Sequence, residues 1–137
     1  MTVTWDDGVR GLLDFGHNPD GLRALYGLAR VLAGQLDDAS IVAVLSQAGD
    51  RSDADLAALA AAVVEGGAVR VVLWESEGLR RGRPVGEVVA RLRSALREKG
   101  LPETAISVAP GEAAAIEQAR GLAARGDLVV VAPWTER

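Results

Sequence analysis

The run Ile41-Val42-Ala43-Val44-Leu45 contains no polar residue, and neither does Leu128-Val129-Val130-Val131. Side chains of a β-strand point alternately to opposite faces, so a strand that is apolar at every position needs cover on both. Strands of this kind sit inside a mainly parallel sheet with helices packed on either side.

The rest of the chain fits that frame. Further strand-like runs fall at residues 2–5, 9–14, 69–74 and 105–108, and the two apolar runs extend to 40–46 and 128–132. Asp6-Asp7-Gly8 between the first two is a hairpin signal, so an antiparallel edge strand is expected at the start. Helical spacing fills the gaps. Residues 20–33 follow Asn18 as a cap and Pro19 at the first helical position, with Leu22, Leu25, Leu28, Ala29 and Leu32 recurring on the apolar side. Residues 53–65 follow a Ser52…Asp55 capping pattern and carry Leu56, Leu59, Ala60, Val63 and Val64. Residues 85–98 carry Val85, Val88, Val89, Leu92, Ala95 and Leu96, with Gly100 as C-cap. Residues 111–124 carry Ala113, Ile116, Ala119, Leu122 and Ala123 and end near Gly126. The expected fold is α/β, with a mainly parallel sheet of about six strands, an antiparallel N-terminal edge strand and about four helices.

At 137 residues the chain suits one domain with a real core. A net charge of -4 gives no general attraction to nucleic acid or to an anionic membrane, and no membrane partner is expected. No apolar run approaches the ~20 residues of a membrane span, and residues 1–7 do not read as a signal peptide. The absence of cysteine removes disulfides and thiol chemistry and fits a cytoplasmic setting. With a single histidine besides, no metal site is expected.

Ligands of open α/β sheets bind beyond the carboxyl ends of the strands. Those ends carry Asp14, His17 and Asn18; Ser46-Gln47-Ala48-Gly49-Asp50-Arg51; Trp74-Glu75-Ser76-Glu77 running on to Arg80, Arg81 and Arg83; and Pro133-Trp134. Each has a plain structural reading beside a functional one. Asn18-Pro19-Asp20 is an efficient helix start, Gly49-Asp50-Arg51 a turn with a solvated ion pair, and the arginine cluster a solvated loop. Asp14 is harder to dismiss, because strand positions disfavour aspartate. Three guanidiniums also suit bidentate recognition of a carboxylate or phosphate. There is no GxxxxGK[ST] phosphate loop, and the only lysine, Lys99, lies at a helix end away from this edge.

Asp14-Phe15-Gly16-His17-Asn18-Pro19 resembles the D-[YFG]-[AG]-H-N-P signature that opens the C-terminal domain of Mur-type ATP-dependent amide ligases. Gly49-Asp50-Arg51-Ser52-Asp53 is similar to that family's GDR-x-D segment. Residues 79–87 resemble the LRGRPxGE stretch of its cyanophycin-synthetase branch, and residues 126–130 its GDLVV close. The resemblance implies a Rossmann-like three-layer sandwich that closes over a central ATP-binding domain supplying the phosphate loop. It implies ATP and Mg as cofactors held mainly by that partner domain. Asp14, His17 and Asn18 would lie against ATP, and Asp50, Arg51, Arg80, Arg81 and Arg83 would border an incoming amino-acid substrate. The chain alone would not complete the reaction, and an excised part of a longer ligase is expected. A free-standing nucleotide- or metabolite-binding module is the alternative. A structural interaction domain presenting Trp5, Trp74 and Trp134 as exposed contacts is a third, weaker reading.

Overall fold

The computed structural model describes residues 1–36 and 39–134. Six strands form one sheet: β1 (Thr2–Thr4), β2 (Arg10–Leu13), β3 (Ile41–Leu45), β4 (Ala68–Trp74), β5 (Ile106–Ala109) and β6 (Leu128–Val131), in the order β1-β2-β6-β3-β4-β5. Only β1–β2 is antiparallel, with Val3 opposite Gly11; every other neighbouring pair is parallel. Five α-helices connect them: α1 (Pro19–Ala33), α2 (Asp53–Glu65), α3 (Glu77–Arg80), α4 (Glu87–Glu98) and α5 (Glu112–Leu122). The mainly parallel sheet with an antiparallel N-terminal edge is as the sequence implies, and the single-turn α3 is the helix it did not signal.

Alternation along the central strands builds two cores. Ile41, Ala43, Leu45, Leu128 and Val130 face a layer formed by α1, α2 and α4, where Leu22, Leu25, Leu56, Leu59, Leu92 and Leu96 interlock. Val42, Val44, Val129 and Val131 face the other way, toward α5, with Leu79 of the single-turn α3 packed beside them. Helix α5 buries only Ala115 and Ala119, small residues that let its backbone approach the sheet closely. The width one helix leaves open is filled by Trp74, which is fully inside, and by Trp5 and Trp134 packed at the margins. The tryptophans are therefore core elements of this face, not a set of exposed contacts. Arg120 of α5 lies over the Trp5 ring, 4.7 Å from its centroid, and is held there by Asp7 and Glu117.

Four apolar positions depart from the sequence reading. Val85 is 75% exposed, because α4 begins only at Glu87, after a turn through Gly82 and Gly86 at φ 96° and 85°. Leu28, Ala113 and Leu122 are also exposed. In α1 the fourth buried position is taken by Tyr26, and in α5 the buried stripe is rotated onto Ala115 and Ala119. Periodicity places a helix but does not fix which of two overlapping apolar stripes meets the sheet.

Leu59 is buried at the middle of the larger core. Leu59→Ala is expected to lower stability by about 2–5 kcal/mol. Urea unfolding should show a lower midpoint with an unchanged slope.

Candidate functional site

Because β2, β6, β3 and β4 run parallel, the segments leaving their carboxyl ends gather on one edge. The structure places Asp14, His17 and Asn18 after β2, Asp50 and Arg51 after β3, Arg80, Arg81 and Arg83 after β4, and Trp134 after β6.

The β2–α1 turn is tightly built. Asn18 Oδ1 accepts from Gly21 N at 2.7 Å and caps α1, with Pro19 following it. Gly16 and Gly21 press together: a Cβ on Gly16 would stand 3.0 Å from the carbonyl of Gly21. Asp14 Oδ1 accepts its own neighbour's amide, Phe15 N, at 2.8 Å, which leaves the second carboxylate oxygen at the rim. The Phe15 ring is 72% exposed beside it.

His17 is held from both ends. Its carbonyl accepts from Gln47 Nε2, and the Gln47 Oε1 accepts from Ala48 N at 2.7 Å. Its ring stacks on Trp134, centroids 3.8 Å apart at 27°. Trp134 is fixed in turn, donating its backbone N–H to Glu112 Oε2 at 2.6 Å, at the start of α5. Burial under this stack lowers the His17 pKa from its ordinary value, and the positive charge of Arg51 acts the same way. The Pro133 carbonyl and the Glu112 carboxylate oppose it without reversing it. Gln47, Trp134 and Glu112 complete a site that the motif residues alone do not make. The signal for Gln47 was a polar residue two positions after a doubly buried strand; it is itself fully buried.

The four arginines of the β3 and β4 loops, which the family resemblance assigns together to the substrate side, are separated by the structure. Arg80 Nε lies 3.1 Å from Glu75 Oε2. The same Glu75 accepts from Gly86 N at 2.8 Å and Val89 N at 3.4 Å, so it caps α4 in place of the side chain that Gly86 lacks. Arg83 donates to Gly49 O at 2.8 Å and Arg51 O at 2.7 Å, and pairs with Asp53 at 2.9 Å and Glu87 at 3.1 Å. Arg81, the one non-glycine residue with a left-handed backbone (φ 46°) among those described, meets Asp50 at 3.2 Å with both side chains about half exposed. Arg51 alone of the four has no acidic partner among the described residues.

No group of three or more His, Asp or Glu side chains able to hold a metal occurs among the described residues. No described helix is long and apolar enough to cross a membrane.

A mainly parallel α/β sheet with braced polar side chains beyond its strand ends defines a three-layer α/β domain. The chain belongs to the Mur ligase family: the family model "Mur ligase, glutamate ligase domain" matches residues 1–134. No curated protein sequence matches it significantly. Among solved structures it is similar to a UDP-N-acetylmuramoyl-L-alanyl-D-glutamate–2,6-diaminopimelate ligase, with TM-score 0.73, 22% identity, and coverage of 95% of this chain and 24% of that one. It is also similar to a murein peptide ligase from Psychrobacter arcticus, with TM-score 0.62, 20% identity and coverage of 90% and 24%. These likenesses are of fold, and the chain spans about a quarter of the length of the ligases it matches.

Two outcomes test this geometry. A Cβ at Gly49 would fall 1.8 Å from the Arg80 carbonyl, so Gly49→Ala should cost about 3 kcal/mol or more in denaturant unfolding. By NMR, His17 should titrate below the ordinary histidine value, and Trp134→Ala should raise it toward that value by exposing the ring. Above about pH 6.5 the imidazole is neutral in both folded and unfolded chains and has no effect on stability. As pH falls through that value the unfolded chain takes up the proton first, so stability should fall until the folded value is passed.

Proposed function

We propose that this chain is the C-terminal, substrate-closing domain of an ATP-dependent amide ligase, working against a central domain in the same polypeptide. The observation that carries the reading is the edge that brings Asp14, the braced His17 and the unneutralised Arg51 together, in a chain of the Mur ligase family. When bound, ATP supplies the phosphoryl group that converts a carboxylate to an acyl phosphate, which an amine then attacks to give an amide.

The residues fit part of an ATP site. The free oxygen of Asp14 suits ribose hydroxyls, and the exposed Phe15 ring offers a stacking face next to it. The α1 N-terminus is poorly suited to a bare triphosphate. Its first residue, Pro19, has no N–H, Asn18 Oδ1 is spent on the cap, and the Asp14 carboxylate stands at the mouth, while Asp20 is paired with Arg23. The residues described do not fit a magnesium site. Phosphate grip and metal would come from the partner domain.

On the amino-acid side, Arg51 is the cation available to an anionic group of the substrate, and the exposed Asp50–Arg81 pair offers one charge of each sign to a zwitterion. Arg80 and Arg83, both turned to protein acceptors, border this region without facing it. Their part is to hold the loops. Positioning of the amine and clamping of developing negative charge are what such groups contribute.

The native polypeptide carrying this domain is expected to show ATP-dependent ligation, reduced by about 100-fold or more in Asp14→Ala and His17→Ala. The isolated chain should show none, and calorimetry should find no micromolar ATP binding to it. Unchanged activity in both variants would remove the site assignment, and micromolar binding by the isolated chain would support a nucleotide-binding module instead.

A further inference from the structure

Arg83 sits where two loops cross. Gly49 N donates to Leu79 O at 2.7 Å, and Gly49 has no side chain because the Arg80 carbonyl occupies that space. Arg83 closes the crossing: Nε reaches Gly49 O, Nη2 reaches Arg51 O, and Nη1 reaches the carboxylates of Asp53 and Glu87. The guanidinium thus brackets Arg51, binding the residue two before it, the residue itself and the residue two after it. Its side chain is 15% exposed and faces two carboxylates, an arrangement that repels an anionic ligand. Lysine could not reproduce it, because a single ammonium lacks the planar fork that serves two carbonyls and two acids at fixed angles.

We propose that Arg83 is a positioning residue that acts through Arg51, holding residues 49–53 so that the Arg51 side chain stands at the site edge beside His17. The inference deepens the ligase reading above and rests on it for its consequence in catalysis, while its geometric part stands on this chain alone. Arg83 therefore touches no substrate. Its loss is felt as a misplaced Arg51, and the two residues form one functional unit.

The isolated full chain carries its own reporter. Arg51 lowers the His17 pKa through space, and Arg83 is not among the groups that perturb it. His17 is titrated by NMR in the native chain, in Arg51→Gln, in Arg83→Lys and in the double variant. Arg83→Lys keeps the charge, yet it should raise the His17 pKa in the same direction as Arg51→Gln and by most of its size. The double variant should match Arg51→Gln alone. An unmoved His17 in Arg83→Lys, additive shifts, or an unmoved His17 in Arg51→Gln would each overturn the proposal. Should Arg83→Lys fail to fold, the native chain still decides. The Arg83 Nε–H should exchange with solvent far more slowly than the Arg51 Nε–H, and equal rates would refute the clasp. In the native polypeptide, Arg83→Lys should raise KM for the amino acid about tenfold, with kcat and the KM for ATP within about twofold. Absence of any ATP-dependent ligation there would defeat the ligase reading but leave the NMR outcome to judge the clasp.

Discussion

Everything at the candidate site hangs from β6 and β3, adjacent parallel strands that are buried along their whole length. A buried strand must satisfy every backbone N–H and C=O within the sheet, so it cannot shift register without losing bonds that water cannot replace. The turn after β3 therefore leaves the sheet at a fixed point and in a fixed direction. Gln47 exploits that fixity: rooted just past Leu45, it reaches across to the carbonyl of His17 on the neighbouring turn. A rigid strand thereby sets the position of a turn residue belonging to another strand.

The two faces of the sheet are covered unequally, and the inequality feeds the site. Three helices fill one side with interlocking leucines, whereas the other is crossed by α5, with two buried alanines, and edged by Leu79 of the single-turn α3. Large rings must fill what remains, and Trp134, which follows β6, is one of them. Since β6 lies beside β2, the tryptophan that plugs the core margin also lies under the imidazole that follows β2. The same burial that stabilises this face desolvates His17 and keeps its ring neutral at ordinary pH. Packing and acid–base character are here one arrangement seen twice.

The fold was legible because its signals are redundant: two all-apolar runs, a hairpin turn, Asn18-Pro19 and Ser52 as helix starts, and Gly-marked helix ends all agree. The family resemblance in residues 14–19, 49–53 and 79–87 was legible as well. What was hidden is how neighbours in sequence divide their tasks in space. Arg80, Arg81 and Arg83 read as one cationic cluster, but a left-handed residue at Arg81 and glycines at 82 and 86 send them to Glu75, to Asp50 and to the Gly49 loop. Sequence spacing carries no record of such a turn. Val85 looked like the first core residue of a helix for the same reason, since a strand-end carboxylate, Glu75, caps α4 two residues later from eleven positions upstream of Gly86.

The charge pattern explains why this edge reads as one half of a site. Around the crossing of the β3 and β4 loops, Asp50, Asp53, Glu75 and Glu87 stand against Arg80, Arg81, Arg83 and Arg91, so the interlocked loops hold no cationic surplus of their own. Arg51 adds a charge that has no acidic partner among the described residues, while Asp14 keeps one carboxylate oxygen open at the α1 mouth. A triphosphate carries several negative charges and needs concentrated positive charge or several aligned N–H donors. One free guanidinium cannot supply that, but it can meet a single carboxylate or one edge of a phosphoryl group. On the ligase reading, the division follows directly. The strongly anionic part of the reaction belongs to the opposing domain, and this domain contributes one positioned cation, one neutral imidazole and one carboxylate for hydroxyl groups.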